Sequence, residues 1–222
     1  GDIEWLSMEG AFSGCINLTI TAVDAPDLSL VTNMSYMFGQ AQSMNQPIDH
    51  WDVSNVQDIS HMFSEASSFN QPLDSWDVSN VKKMNSMFIF ASDFNQNINS
   101  WDVSKVENMS WMFVSSAFDQ PLNNWDVGNV TNFKNMFVQT SFNQPIGNWD
   151  MSKAESTESM FSESLFNQPI GDWDVGNVTK MSGMFWKTPF NQPIGDWDVS
   201  NVTEMVQMFS ESLFNQPIGN WD

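Results

Sequence analysis

The chain has 222 residues, 27 of them acidic against seven lysines and no arginine, for a formal net charge of −20. That balance argues against nucleic acid or an anionic membrane surface as a partner, since both need clustered Lys or Arg, and favours solubility or binding of cations or a basic partner. The single cysteine, Cys15, excludes a disulfide framework and a Cys zinc site, and no apolar run approaches the ~18 residues of a membrane span.

Taken from the start, residues 1–30 read as an N-terminal cap, a degenerate copy of the repeat that fills the rest of the chain. Phe12 and Val31 fall in recognisable places, and Asp24 to Pro26 is expected to replace a Trp-Asp turn. Residues 31–222 then repeat about eight times. Trp-Asp recurs at Trp51, Trp76, Trp101, Trp125, Trp149, Trp173, Trp197 and Trp221, spaced 25, 25 and then 24 residues apart. Met-Phe keeps step at Phe38, Phe63, Phe88, Phe113, Phe137, Phe161, Phe185 and Phe209, and so does Phe-Asn-Gln-Pro with small variations. The shortening falls between Met-Phe and the next Phe, as between Met62–Phe69 and Met112–Phe118, which predicts a loop there. The last unit stops at Trp221–Asp222, so a C-terminal cap is expected to be absent, with further chain or a second molecule beyond.

Each unit has two halves. Val81, Met84, Met87 and Phe88 fall at i, i+3, i+6 and i+7, one face of a short helix. Ser79, or Gly128 and Ser200 in other units, suits its N-cap. In the other half Trp149 and Met151 show the period of two of a strand, after an Asn-Gln-Pro turn. One strand and one helix in 24–25 residues is the size of a leucine-rich-repeat coil. The expected fold is an α/β repeat solenoid, a right-handed leucine-rich-repeat-like coil with one short parallel strand and one short helix per repeat. Trp76, Phe88, Trp125, Phe137, Trp173, Phe185 and Trp197 are its expected core.

The string Phe-Asn-Gln-Pro-Ile-Gly-Asp-Trp-Asp-Val-Ser-Asn-Val-Thr at residues 190–203, with Met-Phe beginning five residues on, resembles a bacterial surface-protein repeat of about 25 residues, related to the BspA-like leucine-rich repeats. The resemblance covers residues 31–222. It implies an extracellular or cell-surface repeat module used for adhesion or binding, and it carries over no catalytic residue. One unit departs from the pattern: Ala154 and Thr157 stand where Val and Met are expected, which predicts a looser coil.

The Asp column (Asp77, Asp102, Asp126, Asp174 and Asp198 among others) should stack about 5 Å apart. Carboxylates that close repel unless something offsets them. One answer is a backbone N–H from each turn in an Asx motif; the other is bridging Ca²⁺, though no calcium-loop consensus is present. No other cofactor is expected. Trp111 and Trp186 break the repeat and are candidate ligand contacts, whereas the regular Trp column is expected inside. The two histidines, His50 and His61, sit at variable positions, and no catalytic motif occurs, so no enzyme is expected. The leading expectation is therefore non-catalytic binding of a protein or glycan. A spacer or stalk associating end to end is the alternative, and ice or mineral binding ranks below it.

Overall fold

In the computed structural model, which describes residues 4–221, the chain winds into a stack of coils one repeat apart. Parallel bridges link the start of each coil to the next: Asn33 to Asp58, Lys83, Asn108, Asn132, Ser156, Lys180 and Glu204 in turn. These eight residues open coils one to eight. Residues before Asn33 form a cap coil, whose Met8, Gly10, Phe12 and Gly14 N–H groups donate to carbonyls of the first coil.

The expected alternation of helix and strand is overturned. Among the described residues there is no helix, and the sheet content is isolated bridges alone. The stretch read as a helix is a run of turns. Met84, Ser86, Phe88 and Phe90 donate their N–H groups to Asn108, Ser110, Met112 and Val114 of the next coil, at 2.8–3.2 Å. The residues between close three-residue turns instead, Met87 N–H to Met84 O and Ala91 N–H to Phe88 O. Positive φ recurs four residues apart in this run, at Ser86 (57°) and Phe90 (56°), while every second peptide N–H, at 84, 86, 88 and 90, points along the stack. An α-helix would keep all its N–H groups local and cannot include left-handed residues. A helix this short is also marginal in water, so bonds to a neighbouring coil win. The i, i+3 spacing of apolar residues survives because a chain of i→i+3 turns has nearly the same period as a helix.

The segment read as a strand faces as expected but does not pair. Trp149 and Met151 are both buried, yet Trp149 N–H closes a turn on Ile146 O. Contact with the previous coil there is made by a side chain, Trp149 Nε1–H donating to Leu122 O at 3.1 Å. The same bond recurs from Trp76, Trp101, Trp125, Trp173, Trp197 and Trp221.

The core is continuous. Trp76, Phe88, Trp125, Phe137, Trp173, Phe185 and Trp197 are all buried. Phe88 stacks on Phe63 and Phe113 of adjacent coils at 5.6 and 5.8 Å and on Phe94 of its own coil at 3.7 Å. Each fully buried Phe contributes about 1.5–3 kcal/mol of transfer free energy, with about 0.5–1.5 kcal/mol more per well-placed ring pair. Polar columns seal the turns. Asn45 Oδ1 accepts from Asn70 N–H and Gln71 Nε2, and Asn70 Oδ1 does the same for Asn95 and Gln96. Asn80 Nδ2 donates to Ser54 O, and Asn129 Nδ2 to Ser104 O.

The unit expected to be looser is packed. Ala154 and Thr157 are fully buried, and the residue before Thr157 in its column is Phe133, larger than the usual Met. The change from 25 to 24 residues is also explained. In the longer coils Ala41, Ala66 and Ala91 carry a backbone turn, for instance Phe69 N–H to Ala66 O at 3.0 Å. In the shorter coils that residue becomes Ser116, Thr140, Ser164, Thr188 or Ser212, and its hydroxyl takes over. Thr140 Oγ1 donates to Phe137 O at 2.8 Å and accepts from Phe142 N–H at 3.4 Å.

Candidate functional site

The left-handed turn residues make two columns on one face. The first runs Tyr36, His61, Ser86, Trp111, Asn135, Ser159, Gly183, Gln207; the second Gln40, Glu65, Phe90, Ser115, Gln139, Glu163, Lys187, Glu211. Fifteen of these sixteen residues carry a side chain, with φ from 52° to 62°. Glycine adopts that region without steric cost, and other residues lose stability there, of the order of 1–2 kcal/mol each. Only Gly183 takes the easy option; the cap coil, by contrast, uses Gly10 and Gly14 at both equivalent places.

The exposed aromatic residues of the repeated coils lie in these two columns: Tyr36, Phe90 and Trp111, at 44, 48 and 39 % exposure. Tyr36 stacks on His61 with ring centres 4.2 Å apart and planes 5° from parallel. Burial, only partly opposed by the Asp58 carboxylate, pushes the His61 imidazole below its ordinary pKa, so the ring is neutral at pH 7. Asn85 Nδ2 meets His61 Nε2 at 3.4 Å. The result is a partly aromatic strip spanning coils one to four, bordered by Gln40 and Glu65, which are themselves hydrogen-bonded at 3.3 Å.

Of the two expected ligand contacts, Trp111 belongs to this strip. Trp186 does not. It lies three coils further on, roughly 14 Å at the usual ~4.8 Å strand spacing, in a neighbouring column and half-buried. Lys187 Nζ sits 4.1 Å from its ring centre, a cation–π contact. Beside it Gly183 leaves a shallow notch of about 230 Å³ lined by Glu158, Ser159 and Gln207. Sequence reasoning missed Tyr36 and reached Phe90 only as part of the variable loop 89–93, one of several where a local function was expected to lie. The available signal was register: both share columns with residues that are polar in most other coils.

The Asp column lies at the far turns. Asp77, Asp102 and Asp198 each accept the N–H of the serine two residues on at 3.0 Å, and Asp126 and Asp174 that of a glycine at 3.1 Å. The Ser54, Ser104, Ser152 and Ser200 side chains, and then their backbone N–H groups, hold Asp52, Asp102, Asp150 and Asp198 below the usual carboxylate range. Asp27 does the same with Ser29, so the cap's turn is centred on Asp27 and not on Asp24 to Pro26 as expected. Neighbouring carboxylates do approach: oxygens of Asp126 and Asp150 both lie 3.2 Å from where a Cβ on Gly128 would stand. Among the described residues, no group of three or more His, Cys, Asp or Glu side chains converges as a metal-ligand set.

A family model described as "Mycoplasma protein of unknown function, DUF285" matches residues 6–117, 98–188 and 163–222. The chain belongs to this DUF285 family. Its three overlapping matches follow the repeat, so DUF285 here is a repeat unit used many times over. No curated protein and no solved structure matches the chain. Among the described residues of this DUF285 chain no helix is long and apolar enough to cross a membrane.

Proposed function

We propose that the protein is a non-catalytic binding module of the extracellular or cell-surface kind, which engages a protein or glycan through the face bearing Tyr36, His61, Phe90 and Trp111. One observation carries this reading. Outward-facing aromatics in the repeated coils occupy the turn positions where a side chain costs most backbone energy. Geometry alone favours glycine there. Aromatic rings at the surface bind sugar faces and act as interface anchors, and the strip is long enough for several residues of an extended ligand. The resemblance of the Trp-Asp-Val repeat to surface-protein repeats supports export, and the negative charge favours a neutral or basic partner over an anionic one.

The test is a glycan and protein array probed with the wild type and with a Tyr36→Ala/Phe90→Ala/Trp111→Ala variant. The expected result is a hit that weakens at least tenfold in the variant while the variant still unfolds in urea as one cooperative transition and is folded under the assay conditions. An array without hits, or a hit indifferent to the triple substitution, removes the face from consideration.

A further inference from the structure

The Trp column ends in a gap. In coils two to eight each indole N–H donates to a carbonyl of the preceding coil at 2.8–3.2 Å. In the first coil Trp51 has no such acceptor among the described residues, although the side chain is only 7 % exposed. No sealed side-chain nitrogen lacks a partner among those residues, so the Trp51 N–H remains open rather than entombed. The cap coil has Ala25 and Pro26 where a tryptophan stands in every later coil. Without that ring a cavity of about 230 Å³ remains, floored by Trp51, Met37 and Phe12 and walled by Trp5 and Ala22. Phe12 already stacks on Phe38 at 5.7 Å, just as each core Phe stacks on the next. The cavity therefore occupies the register position of an indole, beside a Phe and against a Trp. Asp24 is the one charged residue lining it.

We propose that this cavity is a binding site for a small aromatic amine, a single indole-sized ring system with a cationic arm. Its size decides the ring. At about 230 Å³ it lies below the ~300–1,000 Å³ of sites that take drug-sized molecules. An aromatic ring gains the offset stacking that Trp173 and Trp197 give each other at 6.4 Å. Charge decides the arm. Asp24 at the lining and the −20 net charge both favour an ammonium and disfavour a carboxylate. The site lies apart from the aromatic strip and does not depend on its role.

The experiment titrates ¹⁵N-labelled protein with tryptamine, indole and indole-3-acetate and follows the Trp51 Nε1–H resonance, assigned by its loss in Trp51→Phe. Saturable shifts centred on that resonance are expected from tryptamine, with weaker binding of indole and at least fivefold weaker binding of indole-3-acetate. Asp24→Asn is expected to abolish the preference for the amine. Pro26→Trp, which restores the column, and Ala22→Ile, which narrows the cavity, are each expected to block binding while the other indole resonances stay in place. No saturable shift, a shift centred on Trp111 or Trp186, or tryptamine binding unaffected by Ala22→Ile overturns the proposal.

Discussion

Replacing Thr140 by Val removes a hydroxyl and adds nothing in volume, so it isolates the bond pair that lets a coil lose one residue. Thr140 is 4 % exposed, and its Oγ1 serves Phe137 O at 2.8 Å and Phe142 N–H at 3.4 Å. Both partners belong to fully buried residues, so neither recovers a bond from water. An unsatisfied buried polar group costs about 1–3 kcal/mol, the long second bond falling at the low end. Together they predict a loss of about 2–4 kcal/mol for Thr140→Val. Urea unfolding followed by tryptophan fluorescence measures it as a fall in midpoint at constant slope. The mechanism also predicts a rescue. Thr140→Ala combined with one inserted residue before Phe142 recreates the backbone turn of Ala66 to Phe69 and should restore most of the loss. A Thr140→Val loss below ~0.5 kcal/mol, or an insertion that worsens the single variant, would show that the hydroxyl is not what replaces the missing residue.

Phe137→Ala is expected to cost about 3–5 kcal/mol, since the ring is enclosed by Phe113, Phe142 and Phe161 at 5.6, 4.0 and 5.7 Å. Phe90→Ala, on an exposed ring, should cost less than about 1 kcal/mol; comparable losses at the two sites in the same urea assay would contradict the burial pattern. Gln207→Gly, at φ 56°, should stabilise the protein by up to about 1 kcal/mol, read as a higher melting temperature, because its exposed side chain makes no hydrogen bond among the described residues and the left-handed strain is relieved. The Asp102 carboxyl should titrate below its ordinary value of 3.8, and Ser104→Ala should bring it back up, as carboxyl NMR against pH will report. A depressed folded pKa means that this turn's contribution is present above the unfolded value, near 3.9, and fades as pH falls through the folded one. A Ser104→Ala variant with an unmoved Asp102 midpoint would exclude the serine as the cause.

Much of this arrangement was legible in the amino-acid letters. Eight Trp-Asp pairs in register told which side chains go inside, and Phe88, Phe137 and Trp173 are there. The Asn and Asp columns could be assigned to turns because their short side chains reach nearby backbone groups. Secondary structure was not legible, for a specific reason. Val81, Met84, Met87 and Phe88 satisfy a helical wheel, but the same spacing fits successive three-residue turns. What separates the two is the sign of φ at Ser86 and Phe90, and neither residue announces a left-handed backbone as glycine does. The candidate site was half legible. Trp111 stood out by breaking the pattern, whereas Tyr36 and Phe90 looked like further aromatics in a chain already rich in core aromatics, until the stack showed which column each belongs to.

The bonds between coils have a direction. At four positions per coil a peptide donates forward to the next coil and accepts from the one behind. Two backbone columns run the opposite way, one from Gln57 N–H to Thr32 O onward and a sparser one that includes Ser68 N–H to Gln42 O and Asp93 N–H to Ser67 O. Aligned peptides add their dipoles, so the molecule carries a net electrical arrow along its length, positive towards the higher-numbered coils. Two copies brought face to face at like ends would oppose donor to donor or acceptor to acceptor. The two faces of each coil are thus chemically unlike, one offering N–H donors along these columns and the other carbonyl acceptors.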